Sequence, residues 1–166
     1  MKRIMITLAL LLTASAVSAQ KISSSISSQN VRLIDSLVTF IGTAPAEVRM
    51  GSGVLQDGSL RPTNEGWVIT LSIKTTRTRF ALLHEFGHFL NAVRGDVFYA
   101  YLDSLNLNDQ FDRDPRKIWE LFADDFAWAW EGQHNGWAES FRPGVNYLRR
   151  QLWPVTVTAV SKEATP

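Results

Sequence analysis

The sequence contains no cysteine. That excludes a disulfide framework, thiolate metal ligands and a cysteine nucleophile together. Histidine is nearly as scarce, with three in 166 residues, so any metal must be held by a few histidines with Asp or Glu. Charge of one sign is also missing. The chain has 17 Lys and Arg against 16 Asp and Glu, and no basic stripe of the kind a nucleic-acid partner needs. The one long apolar run, "IMITLALLLTASAV", is short for a bilayer span. Lys2 and Arg3 precede it, and "VSA" follows with small residues Val17 and Ala19 before Gln20. This is the pattern of a secretory signal peptide over residues 1–19. No Cys at that point offers a lipid anchor. Cleavage takes the basic count from 17 to 15 and the net charge from +1 to −1. The expectation is a secreted or periplasmic protein, monomeric, with no stable membrane span after cleavage and no nucleic-acid partner.

The remainder, 45% hydrophobic over the whole chain, suits one compact domain over residues 29–153. Residues 20–28, "QKISSSISS", are Ser-rich and expected to be mobile, and 154–166 form a tail. Val31, Ile34, Leu37, Val38 and Ile41 recur at helical spacing up to Gly42, which predicts a helix over 29–41. "AEVRM" and "GVLQ" read as short strands, with "QDGS" as a turn. "EGWVITLSIKT" alternates: Trp67, Ile69, Leu71 and Ile73 share one face, Val68, Thr70 and Ser72 the other. The period then changes. Leu82, Leu83, Phe86, Phe89, Leu90 and Val93 follow a helix, with Thr78 as candidate N-cap and Gly95 as stop. "DVFYAYLDSLNL" reads as a shorter helix and "NDQFDRDP" as a polar break. Asp114-Pro115 is a helix start for a segment that ends at Gly132, and a last helix is expected over 143–152. Helix, small sheet, then helices argues for an α+β fold.

The chemistry concentrates in "LLHEFGHFLN". Residues i and i+4 of a helix share a face, so His84 and His88 can point at one ion. Glu85 lies one residue round, placed to reach a water on that ion rather than the ion itself. The His-Glu-x-x-His pattern thus supplies two zinc ligands and a general base from one turn. The bland alternative is an amphipathic helix that happens to carry two histidines. Against it stand the preceding strand and the apolar flanks, which make the helix mostly buried; buried imidazoles need partners. Phe86, Phe89 and Leu90 read as core. Gly87 inside a helix costs about 1 kcal/mol relative to Ala, which implies close approach by another element.

A catalytic zinc site needs a third protein ligand. A third His six residues after the second would be the metzincin arrangement, but that position is Arg94. Glu120, in the apolar helix "WELFADDFAWAW", is the best candidate. Asp124, one turn on, can accept a hydrogen bond from the distal N–H of a ligand histidine and so fix its tautomer. Otherwise Glu120, Asp124 and Asp125 form a solvated acidic edge pairing with Lys117 or Arg116. Asp125 is assigned to solvent or to a salt bridge. Trp119, Trp128, Trp130 and Trp137 read as core, although Trp128 and Trp130 cannot share a helix face.

"HEFGH" followed by "ELFADDFA" resembles the gluzincin metallopeptidases, and most closely the compact anthrax lethal-factor-like and Pro-Pro-endopeptidase-like group. The likeness covers Trp67 to Trp130. It implies a zincin-like fold, one zinc ion, and an endopeptidase whose peptide or protein substrate lies antiparallel along an edge strand, here Trp67, Ile69 and Leu71. The group carries a Tyr one to two turns before the glutamate ligand to stabilise the oxyanion. "NDQFDRDPRKIWE" has none, and Arg113 or Arg116 stands there instead. Tyr99, Tyr101, His134 and Tyr147 are the remaining candidates for that role. The competing reading is a zinc-binding peptide-recognition protein without turnover; the retained Glu85 speaks against it. A Trp-rich interaction module is a third class. An intracellular repressor-cleaving metalloprotease fits the motif but not the signal peptide.

Overall fold

A computed structural model describes residues 21–54, 56–135 and 142–153. The expected signal peptide, Trp137 and the tail lie outside them. The fold is α+β, with a four-stranded mixed sheet and a mostly helical second half. In chain order the elements are β1 (Lys21–Ile22), α1 (Ser28–Ile41), β2 (Glu47–Gly51), β3 (Gly58–Thr63), β4 (Gly66–Ser72), α2 (Thr78–Val93), α3 (Gly95–Leu105), α4 (Asn108–Arg113), α5 (Pro115–His134) and α6 (Pro143–Leu152).

The sheet order is β1-β2-β4-β3, which corrects the expected edge strand. β4 is interior. It pairs in parallel with β2 and antiparallel with β3, and its Ile69 and Leu71 are fully buried. Both hydrogen-bonding edges of Trp67, Ile69 and Leu71 are therefore occupied; the edge strands are β1 and, beside β4, β3. Its sequence explains the oversight. "GSLRPT" begins inside the expected turn and carries Pro62, which a ladder tolerates on an edge, where its missing N–H faces no partner strand. The expected "GVLQ" strand is absent at its described residues, Gly53, Val54 and Gln56.

The Ser-rich start is also placed. Lys21 and Ile22 pair with Glu47 and Val48, and the Ser27 side chain caps α1 by accepting from the Asn30 N–H. Such a cap stabilises a helix by about 1 kcal/mol. Thr78 is the first residue of α2 rather than its cap; Arg77 precedes it without a side-chain bond. Gly95 opens α3, and the polar break folds as α4. At Asp114-Pro115 the structure agrees with the sequence: Asp114 accepts from the Lys117 N–H and Pro115 takes the first turn. α5 then runs two residues beyond Gly132.

α2 is buried on nearly all sides, against β3, β4 and α5. Phe86, Phe89, Leu82 and Leu83 from α2 meet Ile69 and Leu71 of β4 and Phe122 and Phe126 of α5 in one core. Trp130 joins it, stacked on His134, whereas Trp119 and Trp128 are partly exposed. Removing one of these core phenylalanines costs about 3–5 kcal/mol. The burial matters for function because it fixes the rotation of α2, and with it the direction of His84 and His88.

Candidate metal centre

α2 and α5 meet through matching stripes one turn apart. Phe80, His84 and His88 on α2 face Trp128, Asp124 and Glu120 on α5. The Phe80 and Trp128 rings lie 5.5 Å apart, His84 Nδ1 is 2.9 Å from Asp124 Oδ1, and His88 Nε2 is 3.7 Å from Glu120 Oε1. The next pair out, Arg79 and Glu131, closes the ladder with an ion pair at 2.6 Å.

At the centre, His84 Nε2 stands 3.1 Å from His88 Nε2 and 3.2 Å from Glu120 Oε2. His84, His88 and Glu120 form a group that could hold a metal ion. The distances fit one. Ligand atoms at about 2.0–2.1 Å from a tetrahedral ion stand about 3.3 Å from one another. The donor chemistry fits as well. A carboxylate only accepts, so Asp124 assigns the His84 proton to Nδ1 and leaves the Nε2 lone pair facing His88 and Glu120.

Electrostatics follow the same arrangement. Burial lowers the His84 pKa, but the Asp124 hydrogen bond and the Glu85, Asp124 and Glu120 charges outweigh it, and the net shift is upward. His88 is pushed down to about 4 by burial and by His84, which favours its neutral, ligating form. Asp124 is held below the usual carboxylate range by its bond to His84.

Glu85 is packed beneath Gly58 at the start of β3. It is 4% exposed and its Oε2 has no hydrogen-bond partner. Burial raises its pKa to about 7. Gly58, the first residue of β3, makes the room: a Cβ there would stand 2.7 Å from Glu85 Oε1 and 2.8 Å from its Cγ. His84, Glu85, Glu120 and Asp124 open on a cleft of about 200 Å³, lined also by Gln56, Asp57, Gly58, Phe80 and Ala81.

The four tyrosine and histidine candidates for an oxyanion donor are not brought to this cleft. Tyr99 is 60% exposed on α3. Tyr101 is fully buried and donates to Asp125 Oδ2 at 2.8 Å. Tyr147, on α6, packs near Tyr101 and lines a different cavity. His134 lies at the end of α5, with Nδ1 bonded to the Trp130 carbonyl at 2.9 Å. Asp125, assigned to solvent or a salt bridge, is the latter in buried form: it is 2% exposed and pairs with Arg142. The sequence reading missed Asp57, Gly58 and Phe80. Phe80 was legible as the next residue of the i, i+4 stripe through His84 and His88; Gly58 looked like any turn glycine.

No protein family, curated protein or solved structure matches the chain.

Proposed function

We propose that the protein is a zinc-dependent endopeptidase of zincin-like fold, with His84, His88 and Glu120 as metal ligands and Glu85 as general base. One observation carries the reading: a buried, unpartnered carboxyl with a pKa near 7 sits one residue from a converging His-His-Glu group and shares its cleft. A protein that only stores a metal has no use for that carboxyl.

Zinc, when bound, supplies a Lewis acid and brings the pKa of a water in its open position to about 7. Glu85 takes a proton from the attacking water on its carboxylate and passes it to the leaving amine. Asp124 keeps the proton on His84 Nδ1. The substrate lies along β3, which has no partner strand on its outer side among the described residues and begins directly over Glu85. Export follows from the signal-peptide pattern, and no helix among the described residues is long and apolar enough to cross a membrane.

A second reading is favoured by a specific observation: no Tyr and no further His lines the cleft. On that reading the protein binds zinc and a peptide without turnover. The test is zinc analysis of the purified chain, together with cleavage of a peptide library by the parent and by Glu85→Gln. The peptidase reading expects about one zinc per chain in both forms and cleavage by the parent alone. A library left intact by the fully loaded parent overturns it.

A further inference from the structure

Of the nine described residues lining the cleft, four carry carboxylates, namely Asp57, Glu85, Glu120 and Asp124, and none is Lys or Arg. Two of the four have partners and a third is buried. Glu120 faces both histidines, Asp124 holds His84, and Glu85 is enclosed beneath Gly58. Asp57 is different. It is exposed at the rim, and no described residue forms an ion pair or side-chain hydrogen bond with its carboxylate. Its position is nonetheless fixed, because its backbone carbonyl accepts the Ser72 N–H at 2.9 Å and ties it to the end of β4.

A divalent ion among His84, His88 and Glu120 offsets two negative charges, those of Glu120 and Asp124, and leaves Asp57 and Glu85 uncompensated. The floor of the same cleft holds the buried, unpartnered Oε2 of Glu85. Phe80 and Ala81 supply an apolar wall. Negative charge between apolar walls focuses potential into the opening and draws cations.

We infer that the cleft selects substrates through a cationic nitrogen, an ammonium or guanidinium that meets Asp57. This deepens the peptidase reading and rests on it for the substrate being a peptide. Two sources supply such a group: a Lys or Arg side chain, or a free α-amine.

The test separates them from each other and from turnover. Zinc-loaded Glu85→Gln protein serves as a binder that does not cleave. Its probes are fluorescent peptides of one scaffold, carrying Lys, Arg, norleucine or Glu at each position in turn, with the N-terminus acetylated or free. Anisotropy should show a cationic peptide binding about fivefold more tightly than its neutral counterpart, the scale of a partly exposed ion pair. The gap should close in the added variant Asp57→Asn and turn toward Glu peptides in Asp57→Lys, with zinc content unchanged in both. A gap that follows the side chain assigns the source to Lys or Arg; one that vanishes on acetylation assigns it to the α-amine. Equal binding of charged and neutral peptides, a gap that survives Asp57→Asn, or no binding of any peptide at full zinc occupancy overturns the inference. Cation-selective, Asp57-dependent binding without cleavage by the parent protein would sink the peptidase reading and leave the inference standing.

Discussion

Gly87 lies so close to Ala123 that a Cβ on the glycine would stand 2.8 Å from the Ala123 Cα and 3.1 Å from its carbonyl oxygen. This is the crossing point of α2 and α5, three residues from Glu120. The glycine sets the spacing between the helix that carries His84 and His88 and the helix that carries Glu120. Intrinsic helix preference favours Gly87→Ala by about 1 kcal/mol. The overlap is with backbone, which cannot move aside by a rotamer change, and overpacking of this kind costs about 1–3 kcal/mol. Gly87→Ala should therefore lower the urea midpoint and weaken zinc binding together. Ala123→Gly should rescue it only in part, since the Cα and carbonyl remain. A more stable Gly87→Ala protein with unchanged zinc affinity would mean that the helices stand further apart.

Asp124 and Glu120 lie on one face of α5 but should fail differently. On the proposed site, Glu120→Ala removes a ligand atom and should leave the purified chain without zinc. Asp124→Asn keeps the shape but no longer fixes the proton of His84 on Nδ1, and such changes beside a ligand weaken metal affinity by about 10–100-fold. Competition against a chelator of known affinity measures both. Equal, undiminished affinity in the two variants would move the third ligand away from α5.

The grouping of His84, His88 and Glu120 was legible in the sequence because it obeys local rules. His84 and His88 follow helical spacing, and Glu120 and Asp124 repeat it on a second apolar helix. Gly87 announced the close approach of that helix through its conformational cost. The sheet edge was not legible. Alternation in Trp67–Ile73 reports two faces but says nothing about which hydrogen-bonding edges are occupied, and burial of Ile69 and Leu71 is compatible with either place. β3 was missed because Pro62 and a turn-like Asp57-Gly58 outweigh its short apolar content. Long-range pairing also placed Tyr101 against Asp125, 24 residues away, where local pattern gave no hint.

Gly58 should matter to turnover and not to zinc. A side chain at this position meets the carboxyl of Glu85, with 3.0 Å to its Cδ, and the enclosed glutamate has little space to retreat. Gly58→Ala should displace Glu85, the proposed base, while His84, His88 and Glu120 remain in place. A positioned general base contributes about 10²–10⁴-fold, so a fall in kcat on the order of 10² with zinc content intact is expected. Loss of zinc in parallel would show instead that β3 supports the ligand group itself.

Gly144 holds α6 against the buried Tyr101–Asp125–Arg142 cluster, and a Cβ there would overlap Asp125 Oδ2 and come within 2.8 Å of the Tyr101 hydroxyl. Burial raises the Asp125 pKa, and the Tyr101 hydrogen bond and the Arg142 charge oppose that rise. Tyr101→Phe removes one donor from a buried carboxylate and should cost about 1–3 kcal/mol. Gly144→Ala must also displace the helix, so it should cost more than Tyr101→Phe. In the double variant the hydroxyl overlap is already gone, and the two costs should sum to less than their separate values. Chemical denaturation of all three proteins reads this directly. Full additivity would show that α6 does not depend on the Tyr101–Asp125 contact, and that Gly144 is required by backbone packing alone.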